Sequence, residues 1–277
     1  MPNRRTANPH LVLMDLQLKD KLAFVSGSTA GIGLAIVKAL AAEGAQVVVN
    51  GRTEARVSQA VGEIRKSQPA ARLLPFAADL SEASAADAAL RQFDRVDILV
   101  NNLGAFEPKP FEAIPDAEWR AIIETNFMSG VRLSRGWLPR MKTAGWGRIL
   151  FISSESAVNI PPEMIHYGVT KTMQIALARG LAETTAGTAV TVNSILAGPT
   201  RSEGAERFLT QMAQTRSVNV ATIEKEFFAN VRPSSLLQRF ATVDEVAALV
   251  AFVASPLSSA INGAALRVDG GVVRSIL

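Results

Sequence analysis

Cysteine is missing from all 277 residues. Its absence excludes a disulfide framework, thiol catalysis and a Cys-ligated zinc site. Histidine occurs only at His10 and His166, too few for a His-rich metal site, so no metal is expected. Charged residues are scarce at 19%, and apolar residues reach 48%, a balance that argues against disorder. The net charge is a mild +4, and no basic block is longer than Arg4-Arg5. That pattern reads as a solvated surface and not as a nucleic-acid face, although it suits an anionic cofactor. No apolar run reaches the roughly 18 residues that a membrane span requires. The apolar stretch between Pro9 and Asp15 is too short for the core of a signal peptide. The expectation is a cytoplasmic protein with no membrane partner and no nucleic-acid partner.

What is present is alternation. Short, continuous, β-branched runs occur at 22–26, 45–50, 72–78, 97–101, 148–153, 189–195 and 265–269, the pattern of strands buried on both faces of a parallel sheet. Helical patterns fill the gaps. One closes at Gly44, and another opens with Thr242 and Glu245 in capping-box spacing. The reading is an α/β fold: a single doubly wound, Rossmann-type domain over 15–277 with a mostly parallel seven-stranded sheet. Residues 1–14 lack a period and read as a disordered extension. Between Ile195 and Thr242 lie more than forty residues without a strand. They carry Phe208, Leu209, Met212, Phe227 and Phe228, which suits a substrate lid at about 203–240.

The stretch "SGSTAGIG" (26–33) falls between the first strand and the first helix. Gly27 permits a tight turn, and Gly31 and Gly33 let backbone approach phosphate and let helix pack on sheet. The free N–H groups of the following helix favour an anion in that turn. The spacing is G-x-x-x-G-x-G and not the G-x-G-x-x-G of the dinucleotide fingerprint.

With this spacing the segment resembles the glycine motif of the short-chain dehydrogenase/reductase family, with Ser26 where the family usually has Thr. "ADL" (78–80), "NNLG" (101–104), "TNFMS" (125–129), "GRILFISSESA" (147–157), "YGVTK" (167–171), "VNSILAGPTRS" (192–202) and "VDGG" (268–271) follow in the family's order. Leu103 replaces the usual Ala, and Ala197 the usual Pro. The resemblance covers about 15–277. It implies an NAD(P)-dependent oxidoreductase that acts on a secondary alcohol or ketone, assembled as a homo-oligomer, a tetramer or dimer. For the cofactor it implies contacts from Gly27, Ser28, Thr29, Gly31, Ile32 and Gly33 in the glycine loop. Asp79 and Leu80 would meet the adenine. Asn101, Gly104, Gly198, Thr200 and Ser202 would line the remainder, together with Tyr167 and Lys171.

Tyr167 and Lys171 are four apart in a helical stretch and so share one face. A nearby ammonium favours the phenolate and lowers its pKa. Tyr167 is also the only tyrosine. The family's roles then fall on Tyr167 as acid/base, on Lys171 as the ribose-binding group that lowers the tyrosine pKa, and on Ser154 as the group that polarises the carbonyl. Asn126 would anchor a water in a proton relay. The thirteen-residue spacing to Tyr167 selects Ser154, which leaves Ser153 structural. His166 reads as a wall or surface residue, and Glu155 as an exposed turn acid.

The second strand ends "VVVNGRTE". The position where an NAD enzyme carries an acid for the ribose hydroxyl is Gly51. Arg52 follows, with a fork suited to phosphate. NADP(H) is therefore the expected cofactor, with NAD(H) as the alternative. The apolar lid suggests a small-molecule substrate with apolar bulk. Two alternatives compete with the oxidoreductase reading: a non-catalytic redox-sensing protein that binds NAD(P), and a dehydratase or epimerase on the same scaffold.

Overall fold

A computed structural model describes residues 14–276, so all but one residue of the proposed N-terminal extension lie outside the described residues. The chain runs β1 (Leu22–Val25), α1 (Gly31–Ala42), β2 (Gln46–Gly51), α2 (Glu54–Ser67), β3 (Arg72–Ala77), α3 (Ala83–Gln92) and β4 (Ile98–Asn101). It continues through α4 (Asp116–Ile123), α5 (Ser129–Ala144), β5 (Gly147–Ser154), α6 (Ile165–Glu183) and β6 (Val190–Ala197). The last part holds β7 (Thr200–Arg201), α7 (Glu203–Thr215), α8 (Val220–Glu226), β8 (Ala241–Thr242), α9 (Val243–Val253) and β9 (Ala265–Val268).

Seven strands form one sheet in the order β3-β2-β1-β4-β5-β6-β9, and every pairing is parallel. The continuous apolar runs are explained by burial on both faces. Along β1, Ala23 and Val25 face one core with α1, α2 and α9, while Phe24 faces the other with α3, α5 and α6. Successive strand residues point to opposite faces, so each run has to be apolar throughout. Pro75 in β3 offers no N–H to a ladder, which is tolerable because β3 is an edge strand. At Gly44 the backbone has φ +83, the left-handed turn that ends α1 and that glycine adopts without strain. Thr242 and Glu245 make the expected capping box on α9. Among the described residues no helix is long and apolar enough to cross a membrane.

The stretch after β6 differs from its strandless reading. β7 and β8 pair in parallel, Thr200 with Ala241 and Arg201 with Thr242. This two-residue clasp joins the two ends of the 203–240 segment. Two residues carry no periodicity, so the sequence pattern could not show it. The segment also has a small core of its own, in which Leu209, Ala213, Ile223, Phe228 and Phe240 are buried.

Candidate active site

The strand order reverses between β1 and β4, and in open α/β sheets ligands bind at the carboxyl ends of the strands beside such a point. The glycine turn lies there. Gly27 has φ +60 and Gly31 has φ +55, in the left-handed region that disfavours side chains. Asn50, at the end of β2, holds the turn from the side. Its Oδ1 accepts from Gly27 N at 3.0 Å, and its Nδ2 donates to the Phe76 and Ala78 carbonyls, both at 3.1 Å. Asn102 holds the turn from β4, where Nδ2 donates to the carbonyls of Ser26 and Gly27. The Ser26 hydroxyl accepts from the N–H of Asn102 and of Leu103, both at 3.0 Å, so a hydroxyl is what the position needs. Leu103 leans on the glycine: a Cβ on Gly27 would lie 3.1 Å from Leu103 Cα.

The N-terminus of α1 is uncapped. Ala30 offers no side-chain bond, and no acid stands in the first turn. Free N–H groups beside a glycine cradle suit a phosphate. Ser202 lies beside the loop, where a Cβ on Gly31 would meet its Cβ at 3.3 Å. Its hydroxyl caps α7 by accepting from Ala205 N. Thr200 is buried and donates to the Gly198 carbonyl. A Cβ on Gly198 would meet the Asp269 backbone at 2.5 Å. Asp79 accepts from Ser81 N and Ser81 Oγ, and Leu80 is buried. The Ser28 hydroxyl accepts from Asn50 N. Asn101 is buried, with Nδ2 donating to Ser134 Oγ, so its side chain points between β4 and α5.

Ser154, Tyr167, Lys171 and Asn126 come together beyond β5. Ser154 Oγ accepts from Ser156 N at 3.1 Å, which fixes the serine at the strand end. The Ser154 hydroxyl also faces the Tyr167 phenol and lowers its pKa. Ser153 instead donates to the Lys171 carbonyl at 2.9 Å, a bond that ties β5 to α6. Lys171 is buried; its Nζ donates to the Ile152 carbonyl at 2.8 Å and to Gln174 Oε1 at 3.3 Å. Two of its three protons are thus committed. A Cβ on Gly104 would lie 3.3 Å from Lys171 Nζ, so the glycine leaves room beside the ammonium.

Asn126 sits in a π-helical turn, Glu124–Met128, between α4 and α5. Such turns carry an extra residue and recur at functional sites. Its Oδ1 accepts from Ala105 N at 2.7 Å, and its Nδ2 donates to the Ala105 carbonyl and to Thr170 Oγ1. Gln174 Nε2 donates to the Asn126 carbonyl, so Gln174 links Asn126 to Lys171.

Two electrostatic expectations change. Burial pushes the Tyr167 phenol up to about 12, although the Ser154 hydroxyl and Arg232 act in the opposite direction. Burial likewise pushes Lys171 down to about 8. The ammonium lies 5.6 Å from the tyrosine ring centroid. Among the protein's own groups, desolvation decides the Tyr167 phenol, and the groups that oppose it are Ser154 and Arg232, not Lys171. Glu155 is not an exposed turn acid. It is 3% exposed, and its Oε1 accepts from Arg232 Nε at 2.8 Å. His166 is buried against the ring of Trp119, with centroids 5.9 Å apart. Sequence reasoning missed Asn50, Asn102, Gln174 and Arg232. The two asparagines end strands beside the glycine turn, which was a usable signal. Arg232 stands alone in a loop and offered none.

Comparison with known proteins agrees with this geometry. A family model described as enoyl-(acyl carrier protein) reductase matches residues 27–273. The chain is 47% identical to the uncharacterized oxidoreductase YvaG of Bacillus subtilis, over 95% of this chain and 100% of that protein. The structure of L-sorbose reductase from Gluconobacter frateurii, complexed with NADPH and L-sorbose, superposes with a TM-score of 0.89. It is 28% identical and covers 95% of this chain and 100% of its own. A 7α-hydroxysteroid dehydrogenase complexed with NADH and a 7-oxo bile acid gives 0.79 at 30% identity, covering 95% and 98%.

Proposed function

The chain belongs to the short-chain dehydrogenase/reductase family, and from that premise we propose the roles of its residues and the cofactor it prefers. It is an NAD(P)-dependent oxidoreductase acting on alcohol or ketone substrates. The bound nicotinamide supplies the hydride chemistry; the protein orients the reactants and handles the proton. The convergence of Ser154, Tyr167 and Lys171 at the end of β5 carries the assignment of roles.

Ser154 holds the substrate oxygen as charge develops on it. Tyr167 gives that oxygen its proton in reduction and takes it back in oxidation. Lys171, with one N–H uncommitted beside Gly104, binds the nicotinamide ribose. Asn126 keeps the floor of the site in place and anchors a relay water. The glycine loop and the free N-terminus of α1 take the pyrophosphate. The 203–240 segment is the lid. The substrate carries apolar bulk that rests on Phe106, an exposed ring whose centroid lies 6.0 Å from that of Tyr167. Steady-state rates against a panel of sugar, 3-oxo-acid and steroid ketones, with both cofactors, test the class. Activity confined to small, fully polar ketones would overturn the apolar part.

The preferred cofactor is NADP(H). Gly51 is buried, and a Cβ there would lie 2.4 Å from Thr29 Cγ2. An acid at this position would collide with the glycine loop, so the side chain that selects NAD is sterically unwelcome. Arg52 is exposed, and among the described residues no ion pair engages it. Arg52→Ala is expected to weaken NADP(H) about ten- to a hundred-fold, the worth of one charge-assisted contact. NAD(H) should change little. Titration of both cofactors into both proteins checks this; equal losses would overturn it.

The assembly is a homo-oligomer built on α4–α5 and α6. Light scattering at micromolar concentration should give a dimer or tetramer, and a monomer would contradict it.

A further inference from the structure

Arg232 lies where the lid segment returns to the body of the protein. It follows a second π-helical turn, Phe227–Val231, and its N–H donates to the Phe227 carbonyl at 2.9 Å. Its Nε donates to Glu155 Oε1 at 2.8 Å, and its Nη1 lies 3.7 Å from Glu163 Oε1. The side chains of Arg232 and Glu155 are 8% and 4% exposed. Both acids stand at telling positions. Glu155 directly follows Ser154 and starts the turn that the serine caps. Glu163 lies in the turn that leads into α6, four residues before Tyr167. One guanidinium from the lid therefore touches the segment leaving the serine and the segment entering the tyrosine.

Stability alone is a poor reason for this pair. Buried ion pairs contribute little net stability, because desolvation offsets the attraction, while removing one partner is strongly destabilising. The lid also has other means of support: the β7–β8 clasp holds its two ends, and Leu209, Ala213, Ile223, Phe228 and Phe240 form its core. The Arg232–Glu155 bond links that unit directly to the catalytic turn.

We propose that Glu155 and Arg232 are positioning residues: their buried pair fixes the base of the lid to the Ser154 turn and so sets the mutual orientation of Ser154 and Tyr167. The inference rests on the roles proposed above for those two residues. The other charged groups near the pair are Glu163 and Asp269, with Tyr167 itself alongside. Arg232 lowers the phenol's pKa and Glu155 raises it, so the pair and the tyrosine sense each other.

The test separates positioning from support. Arg232→Met strands a buried carboxylate and should lower Tm. The double variant Glu155→Met/Arg232→Met removes both charges and should recover most of that loss. If the pair positions the site, kcat stays down about ten-fold or more in the double variant, the scale that a small misplacement costs. The NADPH Kd should stay within about two-fold. The probe is NADPH with the best ketone of the panel. Wild-type kcat in the double variant would overturn the proposal. If the double variant does not fold, Glu155→Gln decides by kinetics, since it keeps the shape of the acid and weakens its bond to Arg232. Its kcat should fall several-fold with the NADPH Kd within about two-fold; wild-type kcat overturns the proposal. Tyr167→Phe is assayed alongside. If that variant is active, the reading of the site fails; if it is inactive while the double variant is fully active, only the latch fails.

Discussion

Tyr167→Phe is expected to lose on the order of 10²–10⁴-fold in kcat/KM, the range that a positioned acid/base contributes, while NADPH still binds. The substitution removes one oxygen and keeps the ring. The packing partners of that ring, Phe106 at 6.0 Å and Lys171 at 5.6 Å, are contacts to the aromatic face or edge. They remain in the variant. What goes is the phenolic proton, which on the proposed mechanism is the one delivered to the substrate oxygen. The fold should be unchanged, because no described backbone group depends on the hydroxyl. Steady-state kinetics and cofactor titration on the same preparation check both halves. Activity within a few-fold of wild type would remove Tyr167 from the chemistry.

Lys171→Met is expected to abolish most activity, by about 10²–10³-fold, without lowering Tm at pH 7. Burial moves the ammonium from 10.5 down to about 8. A base with a depressed folded-state pKa binds fewer protons folded than unfolded between those two values. Stability from this residue therefore rises as pH rises from about 8 to 10.5, and below pH 8 the full penalty applies. The depression corresponds to roughly 3 kcal/mol. Methionine removes that penalty and leaves the Ile152 carbonyl and Gln174 without their donor, so the net gain is smaller. Thermal melts of both proteins at pH 7 and pH 9.5 check the sign. The advantage of the variant should shrink at the higher pH. A variant several degrees less stable at both pH values would show that Lys171 supports the fold more than it strains it.

Most of the architecture was legible in the sequence because burial on both faces of a parallel sheet leaves continuous apolar runs. All seven runs became strands, Pro75 included. The glycine turn was equally readable, since Gly27 and Gly31 take backbone angles that few other residues accept. Ser154, Tyr167 and Lys171 were legible through the family resemblance and through their spacing on a strand end and one helix face, and they lie near one another in the structure. The remainder depends on contacts between distant segments. The Glu155–Arg232 pair joins residues 77 apart, and nothing in "SSES" tells a buried acid from an exposed one. The β7–β8 clasp is too short to have a period. The pKa of Tyr167 was read from its neighbour in sequence, whereas burial, a property of the whole fold, decides it.

The most direct test of the central claim is a single-turnover reaction of a ketone with NADPH deuterated at the transferable position of the nicotinamide, run with wild type and Tyr167→Phe. The claim predicts one deuterium on the carbinol carbon per cofactor oxidised by wild type, with the Phe variant slower by on the order of 10²-fold or more. Product without deuterium at that carbon, or equal rates in the two proteins, would contradict it.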